Sequence, residues 1–150
     1  MEKTNELNKF LSYIHMGNTI YRIYDEQAQK FNDEELKNLI NKIQEIFKKH
    51  ETKITDMICE LHEKPTDDLT FAGIMGVYKE RLKIFSDPLS ICLSAIKSTY
   101  MGMISAFKFL DENKNLPIDV LTRIKEVIDD YGLIVDKIKT YILSKYNQNN

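Results

Sequence analysis

Residues 88–110 read PLSICLSAIKSTYMGMISAFKFL and hold only two charged side chains, Lys97 and Lys108. Apolar residues recur here every three or four positions, which predicts a helix. Asp87 before Pro88 is a strong start signal, because Asp caps free backbone amides and Pro is preorganised for the first helical position. The stretch is long enough to span a bilayer, but Lys97 near its middle favours a helix buried in protein. The predicted buried stripe is Leu89, Leu93, Ile96, Tyr100, Met103, Phe107 and Leu110.

A helix with so few charges needs cover on more than one side. Ser94, Ser98, Gly102 and Ser105 lie beside the stripe and are small enough for another helix to approach closely. Two sources of cover stay open at this point. One is a short helix that precedes the stretch, and the other is a second copy of the protein.

Three further long segments carry apolar residues at the same spacing, and no β-type alternation competes with them. The first stripe is Leu7, Phe10, Ile14, Gly17, Tyr21, Tyr24 and Ala28. The second stripe is Leu36, Ile40, Ile43, Phe47, His50, Ile54, Met57 and Leu61. The last stripe is Leu121, Ile124, Ile128, Tyr131, Val135, Ile138 and Ile142. A shorter stripe predicts a crossover helix between the second and third long helices: Phe71, Ile74, Tyr78, Leu82 and Phe85.

These stripes predict a single helical bundle domain over residues 1–150, with long helices at about 5–30, 33–63, 88–110 and 118–146 and a crossover helix at about 69–84. Asn32 with Glu35 is the expected capping pair of the second helix, and Pro117 opens the last. Short connections force antiparallel neighbours, whereas the long middle segment can return the chain to the other end of the bundle. The prediction is an all-α, ferritin-like four-helix bundle, up-down-down-up. An up-down-up-down bundle is the alternative, and the polar tail KYNQNN is expected to fray.

Charge is balanced, with 21 basic and 23 acidic side chains and a formal net charge of −2. No face rich in uncompensated Lys and Arg can be assembled from this distribution, which argues against nucleic acid as the main partner. The first residues, MEKTNELNKF, place charges where a secretory signal has its apolar run, so we expect a cytoplasmic protein. Cys59 and Cys92 are isolated, and both are expected to be small buried hydrophobes in a reducing compartment.

A dinuclear metal centre in a bundle of this type needs Glu-x-x-His pairs, because positions i and i+3 share one helical face. None of the three histidines has a Glu at that position, where the chain has Ser12, Phe47 and Cys59. Residues 88–110 contain no Asp, Glu or His. The acids of the last helix lie off its stripe and are expected to be solvated: Asp119, Glu126, Asp129, Asp130 and Asp136. We therefore predict no metal site, no cofactor and no catalytic residue.

His50 is the one histidine on an apolar stripe. We expect a core histidine that is hydrogen-bonded to the hydroxyl of Tyr21, Tyr100 or Tyr131, which hold stripe positions on the other helices. A cavity lined by Tyr21, His50 and Tyr100 would instead favour the binding of a small apolar ligand.

The order of features resembles small bacterial ferritin-like four-helix-bundle proteins catalogued as a domain of unknown function. The resemblance covers roughly residues 5–143 and rests on LNKFLSYI, Tyr21 followed by DEQAQ, ELKNLINKI continuing to HETKI, LTFAGIMG, Leu82-Lys83 and LSICLSAIKSTY. It implies a ferritin-like bundle and, by analogy with the wider superfamily, a metal role. Where that superfamily carries ligands, this chain has Thr19 or a neighbour in the first helix, no acid in the third, and Val135 near the position of the expected histidine. The resemblance therefore implies the fold without the metal activity.

Together these observations predict a cytoplasmic protein that is not an enzyme and has a structural or protein-interaction role. We expect a homodimer through the third long helix and the crossover, with neither nucleic acid nor membrane as a partner. Two alternatives belong to other classes: a metal-binding protein or metal-dependent oxidoreductase or storage protein, and a binder of small apolar ligands.

Overall fold

The computed structural model describes the backbone of residues 2–146 and the side chains of residues 6–70 and 72–146. In this range the chain is all-α, as predicted, with five helices and no strand. The helices are α1 (Glu2–Ala28), α2 (Glu34–Glu60), α3 (Phe71–Arg81), α4 (Pro88–Glu112) and α5 (Ile118–Ser144). Most of the tail that is predicted to fray, residues 147–150, lies outside the described residues. None of the described helices is long and apolar enough to cross a membrane.

Side-chain caps fix the beginnings of α2 and α4. The predicted start of α4 is confirmed: the Asp87 carboxylate accepts the Ser90 N–H at 2.7 Å, and the Ser90 side chain completes a capping box. The predicted cap of α2, Asn32, is wrong. Asp33 caps α2 instead and accepts the Leu36 N–H at 2.9 Å, while its other oxygen accepts the Tyr141 hydroxyl at 2.5 Å. Asp33 therefore satisfies a free backbone amide and also ties α2 to the last turn of α5.

Helices α1 and α4 pack side by side and run antiparallel. Near the beginning of α1, the rings of Phe10 and Phe109 lie 5.2 Å apart. Near its end, the Tyr21 hydroxyl lies 2.6 Å from the Thr99 hydroxyl. Residues near the beginning of α1 thus contact residues near the end of α4, whereas residues nearer the end of α1 contact residues nearer the beginning of α4.

Helices α2 and α5 are also antiparallel neighbours, since Asp33 meets Tyr141 while His50 meets Asp130. Short connections make α1 antiparallel to α2, and α4 antiparallel to α5. The four long helices therefore form a ring of antiparallel contacts. The fifth helix, α3, packs on the outside of α1.

Gly17 brings α1 and α2 close together at the middle of the bundle. A Cβ at this position would lie 2.3 Å from Cε1 of Phe47, a distance that no real side chain could keep. The missing side chain therefore makes room for the Phe47 ring, which is buried between Tyr21 and Tyr131 at centroid distances of 5.3 and 5.9 Å. Close packing of this kind leaves little tolerance for added volume.

The stripes predicted for α1 and α2 form the core, apart from the last two residues of the second stripe: Met57 is half-buried, and Leu61 is exposed beyond the end of α2. In α5 the buried face is rotated slightly from the prediction. Its buried residues are Val120, Ile124, Val127, Tyr131, Ile134, Ile138 and Tyr141. The predicted Ile128, Val135 and Ile142 are half-buried at the edge of this face.

The stripe predicted for the third long helix is only partly right: Ile96, Met103 and Leu110 are half-buried against the core, but its other four residues are exposed. Leu93, Tyr100 and Phe107 are about half exposed, at 55%, 48% and 52%. The face that packs into the bundle is instead Ile91, Cys92, Ala95, Thr99, Ala106 and Phe109. Small residues on this face admit large neighbours: the Tyr131 ring tip, for example, lies 3.2 Å from where a Gly102 Cβ would stand. The predicted stripe follows the largest side chains of this helix, whereas most of the residues that the bundle buries here are smaller.

The predicted crossover stripe is also wrong, except for buried Phe85. Ile74, Tyr78 and Leu82 are 52%, 59% and 64% exposed, and the side chain of Phe71 lies outside the described residues. Helix α3 instead turns Gly73 and Val77 inward, and it ends at Arg81. A short helix that meets α1 through a glycine can pack closely without burying its larger residues.

Candidate functional site

His50 is 2% exposed and bonds to a carboxylate of α5. Its Nε2 lies 2.6 Å from Oδ2 of Asp130, which also accepts the Lys49 ammonium at 2.8 Å. Burial lowers the pKa of His50 and outweighs the opposing effect of Asp130, so the neutral ring donates from Nε2. The ring's Nδ1 is buried and has no partner among the described residues.

Asp130 is the charged member of this pair. Burial raises the pKa of its carboxyl, but the hydrogen bonds from Lys49 and His50 outweigh burial and hold the pKa below its usual value. The prediction that Asp130 is simply solvated is therefore wrong. Its side chain is 20% exposed and connects the middle of α2 to the middle of α5.

The predicted tyrosine partner of His50 is wrong as well. Tyr21 bonds to Thr99 and points its hydroxyl toward the Ala95 carbonyl oxygen at 3.3 Å, while Tyr100 lies on the outside of α4. The Tyr131 ring packs against Phe47. The structure does not bring Tyr21, His50 and Tyr100 around one cavity.

A second polar cluster, which sequence reasoning missed, is centred on His15. Its Nδ1 lies 3.0 Å from Oε2 of Glu51, and its Nε2 lies 2.7 Å from the Thr66 carbonyl oxygen. Asn18 donates to the same Glu51 oxygen at 2.6 Å. Both ring nitrogens of His15 therefore lie within hydrogen-bonding distance of an acceptor oxygen. The cluster fastens the beginning of the crossover to α1 and α2.

Tyr24 connects three helices through one hydroxyl group. It donates to Glu80 of α3 at 2.8 Å and lies 2.7 Å from the Ser98 hydroxyl of α4. Burial raises the pKa of Tyr24 far above its ordinary value, so the hydroxyl keeps its proton. This contact fixes the C-terminal half of α3 beside α4.

No group of three or more His, Cys, Asp or Glu side chains within the described range is arranged to hold a metal ion. The prediction that both cysteines are buried is right for Cys92 and wrong for Cys59, which is exposed just before the end of α2. Burial raises the pKa of the Cys92 thiol to about 12. Because thiolates rather than thiols bind metals, Cys92 is a poor ligand.

Two grooves lie on the surface of the described part of the bundle. The larger, about 480 Å³, lies between α1 and α2 and has a polar lining of mixed charge that includes Arg22, Lys48 and Glu51. The smaller, about 280 Å³, lies at the end of the bundle beside Leu89 and Tyr141. Neither is lined by Tyr21 or His50, so neither supports a ligand in the core.

The most unusual surface is the side of α4 that faces away from the bundle, which we call the outer face of α4. It consists of Leu89, Leu93, Lys97, Tyr100, Met101, Ile104, Phe107 and Lys108. Its six apolar members are each between 38% and 57% exposed. Helix α3 packs mainly on α1 and approaches α4 beside Ser98, which is not part of this face. The crossover helix therefore does not cover this face, and the first of the two predicted sources of cover is not observed.

Comparison with protein-family models, with curated proteins and with solved structures finds no match to this chain.

Proposed function

We propose that this chain is a ferritin-like bundle, up-down-down-up, that serves as a structural or protein-interaction module in the bacterial cytoplasm. The antiparallel contacts of α1 with α4 and of α2 with α5 support this order of helices. The observation that carries the function is the outer face of α4, because it is the largest apolar surface that the bundle leaves exposed on one long helix.

The size of the outer face argues for a binding role. A large apolar side chain carries roughly 200 Å² of surface, so six half-exposed ones present on the order of 600 Å². The largest apolar patch on a monomeric protein is typically about 300–600 Å², and patches at the upper end of that range mark interaction sites. The face extends from Leu89 to Phe107, about 27 Å along the helix. These are the dimensions of a helix-packing surface.

The packing of the core supports a protein-binding role better than a catalytic role. Its centre is filled by the rings of Tyr21, Phe47 and Tyr131, which contact one another. The polar groups beside them, His50 and Thr99, are bonded to Asp130 and Tyr21 and so contribute to stability and helix register. Nothing in this arrangement favours the metal-dependent or apolar-ligand alternatives.

Photo-cross-linking in the native host tests the proposal. A photoreactive phenylalanine analogue replaces Tyr100 on the outer face, and the matched control places it at Thr52, an exposed position on α2. We expect a covalent adduct with a protein from position 100 and none from position 52, because only the first position lies in a binding surface. Absence of an adduct at both positions, or equal adducts at both, would contradict the proposed function.

A further inference from the structure

We propose that the outer face of α4 binds the same face of a second copy of this chain. The inference rests on the proposed function and specifies its partner. Three features of the face support it: the repeat of its apolar residues, its area and the position of its charges.

The apolar residues of the outer face follow a heptad. Leu93, Tyr100 and Phe107 are seven residues apart, and beside them lies a second exposed row with the same repeat, formed by Lys97 and Ile104. Two adjacent rows at this spacing form the seam on which helices pack with knobs in holes. A second copy of α4 carries the identical spacing, so the seam is complementary to itself, as a twofold interface requires.

The area is close to what a stable dimer needs. A standard interface buries about 800 Å² on each partner, against on the order of 600 Å² of apolar surface on the outer face of α4 alone. The aliphatic stems of its two lysines add to this area. The segment that follows α3 lies near α4, since the Lys83 ammonium is 3.4 Å from the Ser94 hydroxyl, and Tyr78 and Leu82 are also exposed.

The charges of the face permit burial of its centre. Lys97 and Lys108 are eleven residues apart, which is close to three helical turns, so they occupy nearly the same angular position. Lys108 lies at one end of the face, whereas Lys97 lies within it, one helical turn from both Leu93 and Tyr100. A partner that covers the face packs on the aliphatic stem of Lys97, while the long side chain carries its ammonium group to water beside the seam.

Light scattering of the purified full chain, measured over a series of concentrations, tests the inference. We expect a molar mass of twice 17.6 kDa at tens of micromolar. Ile104→Glu places a carboxylate at the centre of the seam and is expected to weaken the dimer at least thirty-fold, an approximate figure for one buried unpaired charge. The matched control is Leu133→Glu on α5, which alters a leucine of similar exposure, 45%, outside the outer face. This control is expected to stay dimeric.

Each other outcome overturns the inference. A wild-type mass of 17.6 kDa at all concentrations, or an Ile104→Glu variant that dimerises like the wild type, would do so. Circular dichroism confirms that the variants are folded, and Tyr100→Lys serves as a second variant if Ile104→Glu is not. A monomeric wild type that still gives the position-100 adduct in cells would leave the proposed function standing with a different partner. A vesicle-binding assay then asks whether that monomer binds membranes instead.

Discussion

Replacing Phe47 with alanine is expected to lower the free energy of unfolding by about 3–5 kcal/mol, the usual cost of truncating a buried phenylalanine. Phe47 is 3% exposed, and its ring lies between those of Tyr21 and Tyr131. It also fills the space that Gly17 leaves between α1 and α2. Because α1, α2 and α5 all meet at this ring, the cavity cannot be closed by moving one side chain. Urea unfolding followed by circular dichroism measures the loss.

The same substitution at Phe107 is the matched control. Phe107 is 52% exposed on the outer face of α4, so truncating it removes little that the folded monomer buries. At low micromolar concentration we expect a change below about 1 kcal/mol, in the range of surface substitutions. A loss at Phe107 equal to that at Phe47 would show that the outer face belongs to the core, and it would remove the basis of the interaction proposal.

Acidification is expected to destabilise the bundle in two stages. The pKa of His50 is lowered by burial, so the unfolded chain binds the proton first, and stability falls as the pH drops below the ordinary value of 6.5. The carboxyls of Asp130 and Glu51 are partly buried, which raises their pKa values, but hydrogen bonds outweigh this and hold the pKa values below 3.8 and 4.5. The stability that these two carboxylates contribute is therefore present above their ordinary pKa values, and it is lost as the pH falls through their lower pKa values in the folded state. Unfolding measured from pH 7 to pH 3 checks both stages, and stability that rises on acidification would contradict the assignment.

The contact between His50 and Asp130 is tested separately by removing the carboxylate. Asp130→Ala leaves the Nε2–H of His50 buried without an acceptor, which costs about 2 kcal/mol at pH 7. Asp129→Ala is the control, because Asp129 is the neighbouring acid and is exposed. We expect its effect to stay within about 0.5 kcal/mol. If both substitutions cost the same, Asp130 acts only through its charge and not through His50.

The sequence predicts the helices and most of the core well, for a physical reason. In α1 and α2 the large apolar residues are the ones that pack, so their spacing reveals the buried face. In α4 the relation holds only in part: Ile91 and Phe109 are buried, but Leu93, Tyr100 and Phe107 face outward, and the rest of the buried face is small residues. In α3, Gly73 and Val77 face the bundle. Periodicity alone cannot distinguish a core face from a binding face, because both are apolar. Which face is buried depends on the shapes of the neighbouring helices.

The polar contacts could be predicted only in part. His50 is identified as a core histidine by its place on an apolar stripe, but its partner depends on the register between α2 and α5. His15, Glu51 and Thr66 come from three separate segments, and no local spacing brings them together. The low charge of residues 88–110 is a separate signal in the sequence. It indicates that α4 needs further cover.

The proposed function requires that this bundle acts through the outer face of α4 and not through a metal in its core. Elemental analysis of the chain purified without chelator tests that claim most directly. We predict that iron, manganese and zinc are each far below one equivalent per chain, since the buried core of the described residues is formed almost entirely by apolar side chains. One or two equivalents of any of these metals per chain would contradict the proposed function.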